Sequence, residues 1–363
     1  MENLINLLFN SGKFKLLKTK FSNSTNKFVK NIYDDINNIK LPSYKINKDK
    51  FNMYGEHFNI IPAKFKNYIN SKSLYTTSIN TKIDKRIVNI HMMHPNNYYT
   101  HNIELLIRWL TYAYSISPIQ CSKQLNVFIY LTPFNKELPN IELINTSHAN
   151  NAFTFACLEE NEINIFRHEE WFKVFIHETI HALGIDFSRF NYSRTVNPIL
   201  NKVFRLNIDY NVHEAYCETL ATFFNVILLN HHLPFNKFLN NIQDLMFNEA
   251  QFSLYQSAKI LNHHNILYQK VIRAREPSIY NETTPIFSYF IIKACLLYNL
   301  DKFFISRNKK SIVFKKDHLP NFISFIQKHA VSRNFIYDLN KVQELIYNYK
   351  HKQSKSLRFS LYG

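Results

Sequence analysis

Five residues near the middle of the chain, His177-Glu178-Thr179-Ile180-His181, have the types and the spacing to hold a metal ion and use it. On an α-helix, positions four apart share a face about one turn from each other, so both imidazoles can reach a single ion. Glu178 sits beside that face. There it would not bind the ion but would take a proton from a water that the ion has acidified. Gly184 follows three residues later, in a chain with only 4 glycines. A helix that must stop just past its second ligand needs a residue that enters the left-handed region without a Cβ clash, and glycine does so.

A catalytic zinc ion takes three protein ligands and leaves the fourth position to water, so the motif lacks one ligand. Asp186 is close enough in sequence for a turn at Gly184 to bring it back, whether as a ligand, as a ligand's partner or as a cap; the ordinary alternative is an exposed loop aspartate. A third histidine is missing from two places where other zinc enzymes carry it: position 187 is Phe, and residues 190–194 read FNYSR. The better source is HEAYCETLA, where Glu214 and Glu218 stand four apart on a helix that otherwise carries Leu220, Phe223, Phe224 and Ile227. Two carboxylates there are costly to bury without partners, and a metal together with a histidine would satisfy both. His213 is a competing ligand in sequence, but its adjacency to Glu214 turns it about 100° around the helix.

H-E-x-x-H with a downstream E-x-x-x-E on a second helix resembles the gluzincin metallopeptidases. The resemblance implies a zincin-like α+β fold and zinc-dependent cleavage of a protein or peptide substrate. It makes His177, His181 and Glu214 the ligands of Zn2+, Glu178 the general base, and Glu218 the carboxylate that orients a ligand histidine. The E-x-x-x-E form is similar to the branch of the anthrax lethal factor catalytic domain, and to metallopeptidase-like proteins of large DNA viruses. That branch carries a catalytic tyrosine seven residues before its ligand glutamate, where this chain has Asn207. The oxyanion donor therefore stays open among Tyr210, Tyr216, His213 and Tyr289. Peptidases of this clan hold peptide by strand addition, and NAFTFAC, 151–157, is the segment proposed for that edge.

The elements that must position these residues follow from periodicity. Residues 103, 106, 109 or 110, and 112 recur at helical spacing and stop at Ser117-Pro118. LNVFIYLT (125–132), NAFTFAC and EINIFR (162–167) read as strands. HEEWFKVFIHETIHALG reads as the active-site helix, with Glu169 and Glu170 in its first turn where carboxylates suit the dipole. Residues 210–230 form the second metal-site helix. TTPIFSYFIIKACLLYNL is a further helix, with Thr284 as its cap and Pro285 at its first position. Lys293 interrupts the most apolar part of that run. The expected architecture is a small twisted sheet from about 85 to 166, the active-site helix across it, and a mainly helical remainder. The expected division is a basic N-terminal extension or accessory region (1–60), a zincin-like catalytic core with both metal-site helices (61–232), and a helical C-terminal region with a basic tail (233–363).

With 363 residues and 46% hydrophobic content, the chain can bury a real core, which excludes global disorder. Lys and Arg number 44 against 27 acids, a formal charge of +17 that would favour polyanions through the basic termini. An A+T-rich genome would raise lysine in the same way without any such role. The four cysteines, Cys121, Cys157, Cys217 and Cys295, are widely spaced and suggest neither a disulfide framework nor a thiolate zinc site. A reducing compartment is therefore expected. Residues 1–15 are not expected to form a signal peptide, and no run reaches the roughly 20 apolar residues of a membrane span. The expectation is an intracellular, cytoplasmic protein, or one packaged in a virus particle. A competing expectation is a non-catalytic basic structural or interaction protein of a virion or nucleoprotein, which keeps the zinc site only as a staple.

Overall fold

The computed structural model describes residues 16, 20–50, 53–72, 74–95, 102–140, 143–273, 280–307, 312–348 and 354–363. The signal-peptide reading of residues 1–15 lies outside the described residues. Helix α1 (Asn23–Asn38) opens with the Ser22 hydroxyl accepting from the Thr25 amide, and buries Phe28, Val29, Ile32 and Ile36 at helical spacing. Strand β1 (Tyr44–Lys50) is exposed along its whole length. After α2 (Ala63–Ser71) come β2 (Tyr75–Ile83) and β3 (Arg86–His94). These two strands are joined by Asp84 and Lys85, both at positive φ, as a two-residue hairpin requires. Helix α3 (Ile103–Ile116), capped at Ser117, leads to β4 (Gln124–Tyr130). A single turn, α4 (Thr146–Ala149), precedes β5 (Ala152–Thr154) and β6 (Glu160–Ile165).

The strands form one six-stranded mixed sheet in the order β1-β2-β3-β4-β6-β5. The pairs β3-β4 and β4-β6 are parallel, and the others are antiparallel. One face, with Val88, Ile90, Val127, Ile129, Ile163 and Ile165, joins the main core. The other face, with Met93, Phe128 and Tyr130, is covered by Phe65 and Ile69 of α2.

The rest of the chain is helical: α5 (Trp171–Ala182), α6 (Ser193–Phe204), α7 (Val212–Asn230), α8 (Phe235–His263) and α9 (Tyr268–Arg273). A π-helical stretch (Phe287–Ile292) then runs directly into α10 (Lys293–Tyr298), and α11 (Leu300–Ser306), α12 (Leu319–Ala330) and α13 (Arg333–Asn348) follow. The class is α+β, as the sequence implies. The sheet is larger than the expected 85–166 span, because β1 and β2 extend it to residue 44. One apolar cluster includes Val29 and Ile32 of α1, Ile176 of α5, Phe223 of α7 and Phe359 near the C-terminus. Residues before 61 and after 232 thus share the core with the sheet.

Three local expectations need correction. Glu169 and Glu170 lie outside α5. Glu170 is at φ +60°, and its carboxylate turns inward to the buried Lys136 ammonium instead of facing the helix dipole. Thr284 is not a cap, since its hydroxyl donates to Asn150 Oδ1, 3.1 Å away. The carboxylate that caps the following turn is Glu282, which accepts from the Phe287 amide at 2.8 Å. Finally, Cys121 and Cys157 form a disulfide. The reason is the parallel pairing of β4 and β6: Gln124 is registered with Glu160, so the turns just before those strands meet.

Candidate metal centre

Helix α5 carries His177 and His181 into a shared space because it lies on the sheet and ends where it must. Its C-terminus is a Schellman motif: the Gly184 amide donates to the His181 carbonyl at 3.0 Å and the Ile185 amide to the Ile180 carbonyl at 3.0 Å, with Gly184 at φ +61°. A Cβ at Gly184 would sit 3.0 Å from Cys121 Sγ and 3.2 Å from Cys157 Sγ. Glycine is therefore required twice, by its backbone angle and by the disulfide packed against it. The turn that follows folds Asp186 back beneath His181, where its Oδ2 lies 2.9 Å from Nδ1. Asp186 is fully buried, and it also accepts from the amide and hydroxyl of Ser188.

Helix α7 packs along α5 and presents Glu214 in its first turn. Three atoms converge. His177 Nε2 and His181 Nε2 are 3.0 Å apart, and Glu214 Oε2 is 3.2 Å from the first and 3.3 Å from the second. Ligands about 2.0–2.1 Å from a tetrahedral ion are separated by roughly 3.3–3.4 Å, so this triangle is close to one face of such a tetrahedron. The three residues form a group that could hold a metal ion.

One helical turn along α7, Glu218 reaches the far nitrogen of the other histidine, with Oε1 2.9 Å from His177 Nδ1. Each histidine thus has its Nδ1 against a buried carboxylate and its Nε2 directed to the common point, the usual arrangement of ligand imidazoles. His181 Nδ1 also lies 3.6 Å from Cys217 Sγ, which makes His181, Asp186 and Cys217 a second group with metal-binding atoms. His181 shares its remaining nitrogen between them, so this second group serves best to fix the ring.

Burial opposes charging His177 and His181. Glu214 and Glu218 nevertheless raise His177, and Cys217, Asp186 and Glu214 raise His181 well above the usual histidine value. Burial likewise opposes ionising Glu214, yet His181 and His213 hold it well below the ordinary carboxylate range. Glu178 shifts the other way: burial lifts it, against the pull of His177 and His181. It makes no hydrogen bond or ion pair among the described residues.

The structure also sorts the oxyanion candidates. Tyr210 donates to the Leu206 carbonyl and Tyr216 to that of Ile312, so both hydroxyls are committed elsewhere. His213 is not carried away from the site, because its Nε2 lies 3.3 Å from Glu214 Oε1. Its Nδ1 is bonded to the Tyr192 hydroxyl, a partner the sequence reading missed. Tyr289, on the π-helical stretch, is the remaining candidate. Burial raises its phenol well above the usual value, and Glu214 and Glu178 add to the rise, so the group lies within electrostatic reach of both. The reading also missed Lys173, whose ammonium is paired with Glu218. The signal was a lysine inside the apolar FKVFIH run.

No family model matches the chain, and no solved structure matches it. A viral homologue exists: an uncharacterized protein of Acanthamoeba polyphaga mimivirus is 24% identical over 335 residues, which cover 84% of this chain and 83% of the relative. No helix among the described residues is long and apolar enough to cross a membrane.

Proposed function

We propose that the chain is a zinc-dependent endopeptidase of gluzincin type. The observation that carries the reading is the donor triangle of His177, His181 and Glu214 with Glu178 beside it. Two imidazoles and one carboxylate suit Zn2+ better than Mg2+ or Ca2+, which prefer oxygen ligands. Bound there, zinc would supply Lewis acidity toward a carbonyl and toward water. Glu178, raised by burial and without a hydrogen bond or ion pair among the described residues, takes the proton of the attacking water as its oxygen bonds to the carbonyl carbon. It then delivers that proton to the amine as the carbon–nitrogen bond breaks. Tyr289 donates a hydrogen bond to the developing oxyanion. Strand β5 lies at the sheet edge beside α5, with Phe153, Thr154 and Phe155 partly exposed. An extended peptide adds to the sheet there.

The deciding test pairs zinc content with cleavage of a randomised peptide library read by mass spectrometry. The expected result is about one zinc per chain and cleavage that disappears in Glu178→Gln while zinc is retained. One observation favours a second reading, a metal that only staples the fold: His177, Glu178 and His181 are just 6%, 7% and 8% exposed. In that case Glu178→Gln would change nothing, and zinc removal would lower the melting temperature without any cleavage to lose.

A further inference from the structure

Behind His177 lies a buried charged network that peptide hydrolysis does not require. The two oxygens of Glu218 have separate duties. Oε1 faces His177, while Oε2 is bonded to the Lys173 ammonium and lies 3.4 Å from Lys293 Nζ. Both lysine side chains are fully enclosed, at 0% and 1% exposure. Lys293 stands at the start of α10, and its ammonium also donates to the Phe359 carbonyl.

Phe359 belongs to the segment 354–363, the end of the stretch read as a basic tail, which docks on the core through a few residues while Lys355 and Gly363 stay exposed. Leu357, Phe359 and Ser360 are buried. The Phe359 and Ser360 amides donate to Glu170 at 3.1 and 2.7 Å. The Leu361 and Tyr362 amides donate to Glu249 at 3.0 and 3.1 Å, and the Ser360 hydroxyl does so at 2.6 Å. Lys136, paired with Glu170, lies 3.7 Å from the Phe359 ring centroid. Three ammonium groups (Lys136, Lys173, Lys293) and three carboxylates (Glu170, Glu218, Glu249) are thus buried together. Their hydrogen bonding is complete only when this segment is in place.

We propose that Lys293 is a positioning residue that couples docking of residues 354–363 to the metal site through Glu218 and His177. The inference rests on His177, His181 and Glu214 being metal ligands, not on peptide hydrolysis. The docked segment supplies the Phe359 carbonyl, which holds the Lys293 ammonium against Glu218. Glu218, so fixed, aims the His177 ring. Because coupling between two binding events is reciprocal, metal at the site must in turn hold the segment more firmly.

The test uses the full chain in four forms: wild type, Lys293→Met, Glu218→Gln and the double variant. The readout is zinc affinity, measured by competition with a chromophoric chelator. Each single variant should bind zinc about 10 to 100-fold more weakly. The double variant should bind within about 2-fold of Glu218→Gln alone, because the lysine acts through that carboxylate. A lysine that merely supports the fold would weaken zinc equally in both backgrounds, which overturns the proposal. Wild type that binds no zinc removes the metal site and the proposal together. Wild type that binds zinc no better than Lys293→Met overturns the proposal alone. Should Lys293→Met fail to fold, hydrogen exchange on the wild type decides instead. Zinc should slow exchange at the amides of 359–362 by about 5-fold or more, and unchanged exchange there overturns the coupling.

Discussion

At the scale of single residues, Glu214 and Glu218 are one turn apart on α7 and yet do different work. Glu214 faces the point where His177 and His181 meet, so Glu214→Ala should abolish most zinc binding. Of the two histidines Glu218 meets only His177, and at Nδ1 instead of the converging Nε2, so Glu218→Ala should still fill with zinc at saturating metal but with about 10 to 100-fold lower affinity. A zinc titration separates the two, and the reverse order would show that the ligand is misassigned by one turn. The titration behaviour of the histidines gives a second expectation. Their metal-free pKa values are raised above 6.5 against burial, through Glu214 and Glu218 for His177 and through Cys217, Asp186 and Glu214 for His181. Zinc must displace those protons, so its affinity should keep rising with pH above the range where ordinary histidines are already neutral. The same raised values stabilise the metal-free fold fully below the unfolded pKa, and that contribution is lost as pH climbs through the folded one. Metal-free protein should therefore melt at lower temperature on the alkaline side, as calorimetry would read. His177, Glu178 and His181 are legible in the sequence because their geometry is set by one helix. Asp186 is legible as far as the turn at Gly184 brings it back, whereas Tyr192 and Lys173 are not, since only a packed neighbour brings each to the site.

At the scale of elements, the end of α5 is decided by Gly184. Gly184→Ala forces a left-handed alanine and a Cβ 3.0 Å from Cys121 Sγ. The backbone strain alone is about 1–2 kcal/mol. Denaturant unfolding should show at least that loss, together with weaker zinc binding because Asp186 hangs on the same turn. The π-helical stretch makes a separate prediction. Tyr289→Phe should leave zinc affinity unchanged but lower turnover by roughly 10² to 10³-fold, the usual loss of one oxyanion donor. Equal turnover would return the role to His213. Helix existence was readable from periodicity, whereas helix starts were not. The active-site helix was expected to take in Glu169 and Glu170, but a buried lysine on the 133–140 segment draws the second of them inward, and no local pattern announces such a partner. Lys293 is the instructive case: it reads as an interruption of an apolar run, and that interruption is where the buried network is anchored.

At the scale of the whole molecule, the α+β class was legible because the strand and helix periods are distinct. The disulfide was not, because only the pairing of β4 with β6 brings Cys121 to Cys157 across a separation of 36 residues. Closing a loop of that length stabilises by roughly 3–4 kcal/mol in the chain-entropy account. Cys121→Ser should therefore lower unfolding free energy by about that amount when compared with oxidised wild type. The docking of residues 359–362 onto Glu170 and Glu249 has a consequence in time. Synthesis is vectorial, and earlier parts of a chain begin to fold first. Glu170 and Glu249 thus emerge well before the amides that complete their hydrogen bonding, at separations of 190 and 112 residues. Until residues 359–362 have been added, Glu170 and Glu249 lack the backbone amides that complete their hydrogen bonding. Chains arrested just short of residue 359 should accordingly be far more sensitive to added protease than chains that include residues 359–362, so maturation of the centre waits on this segment.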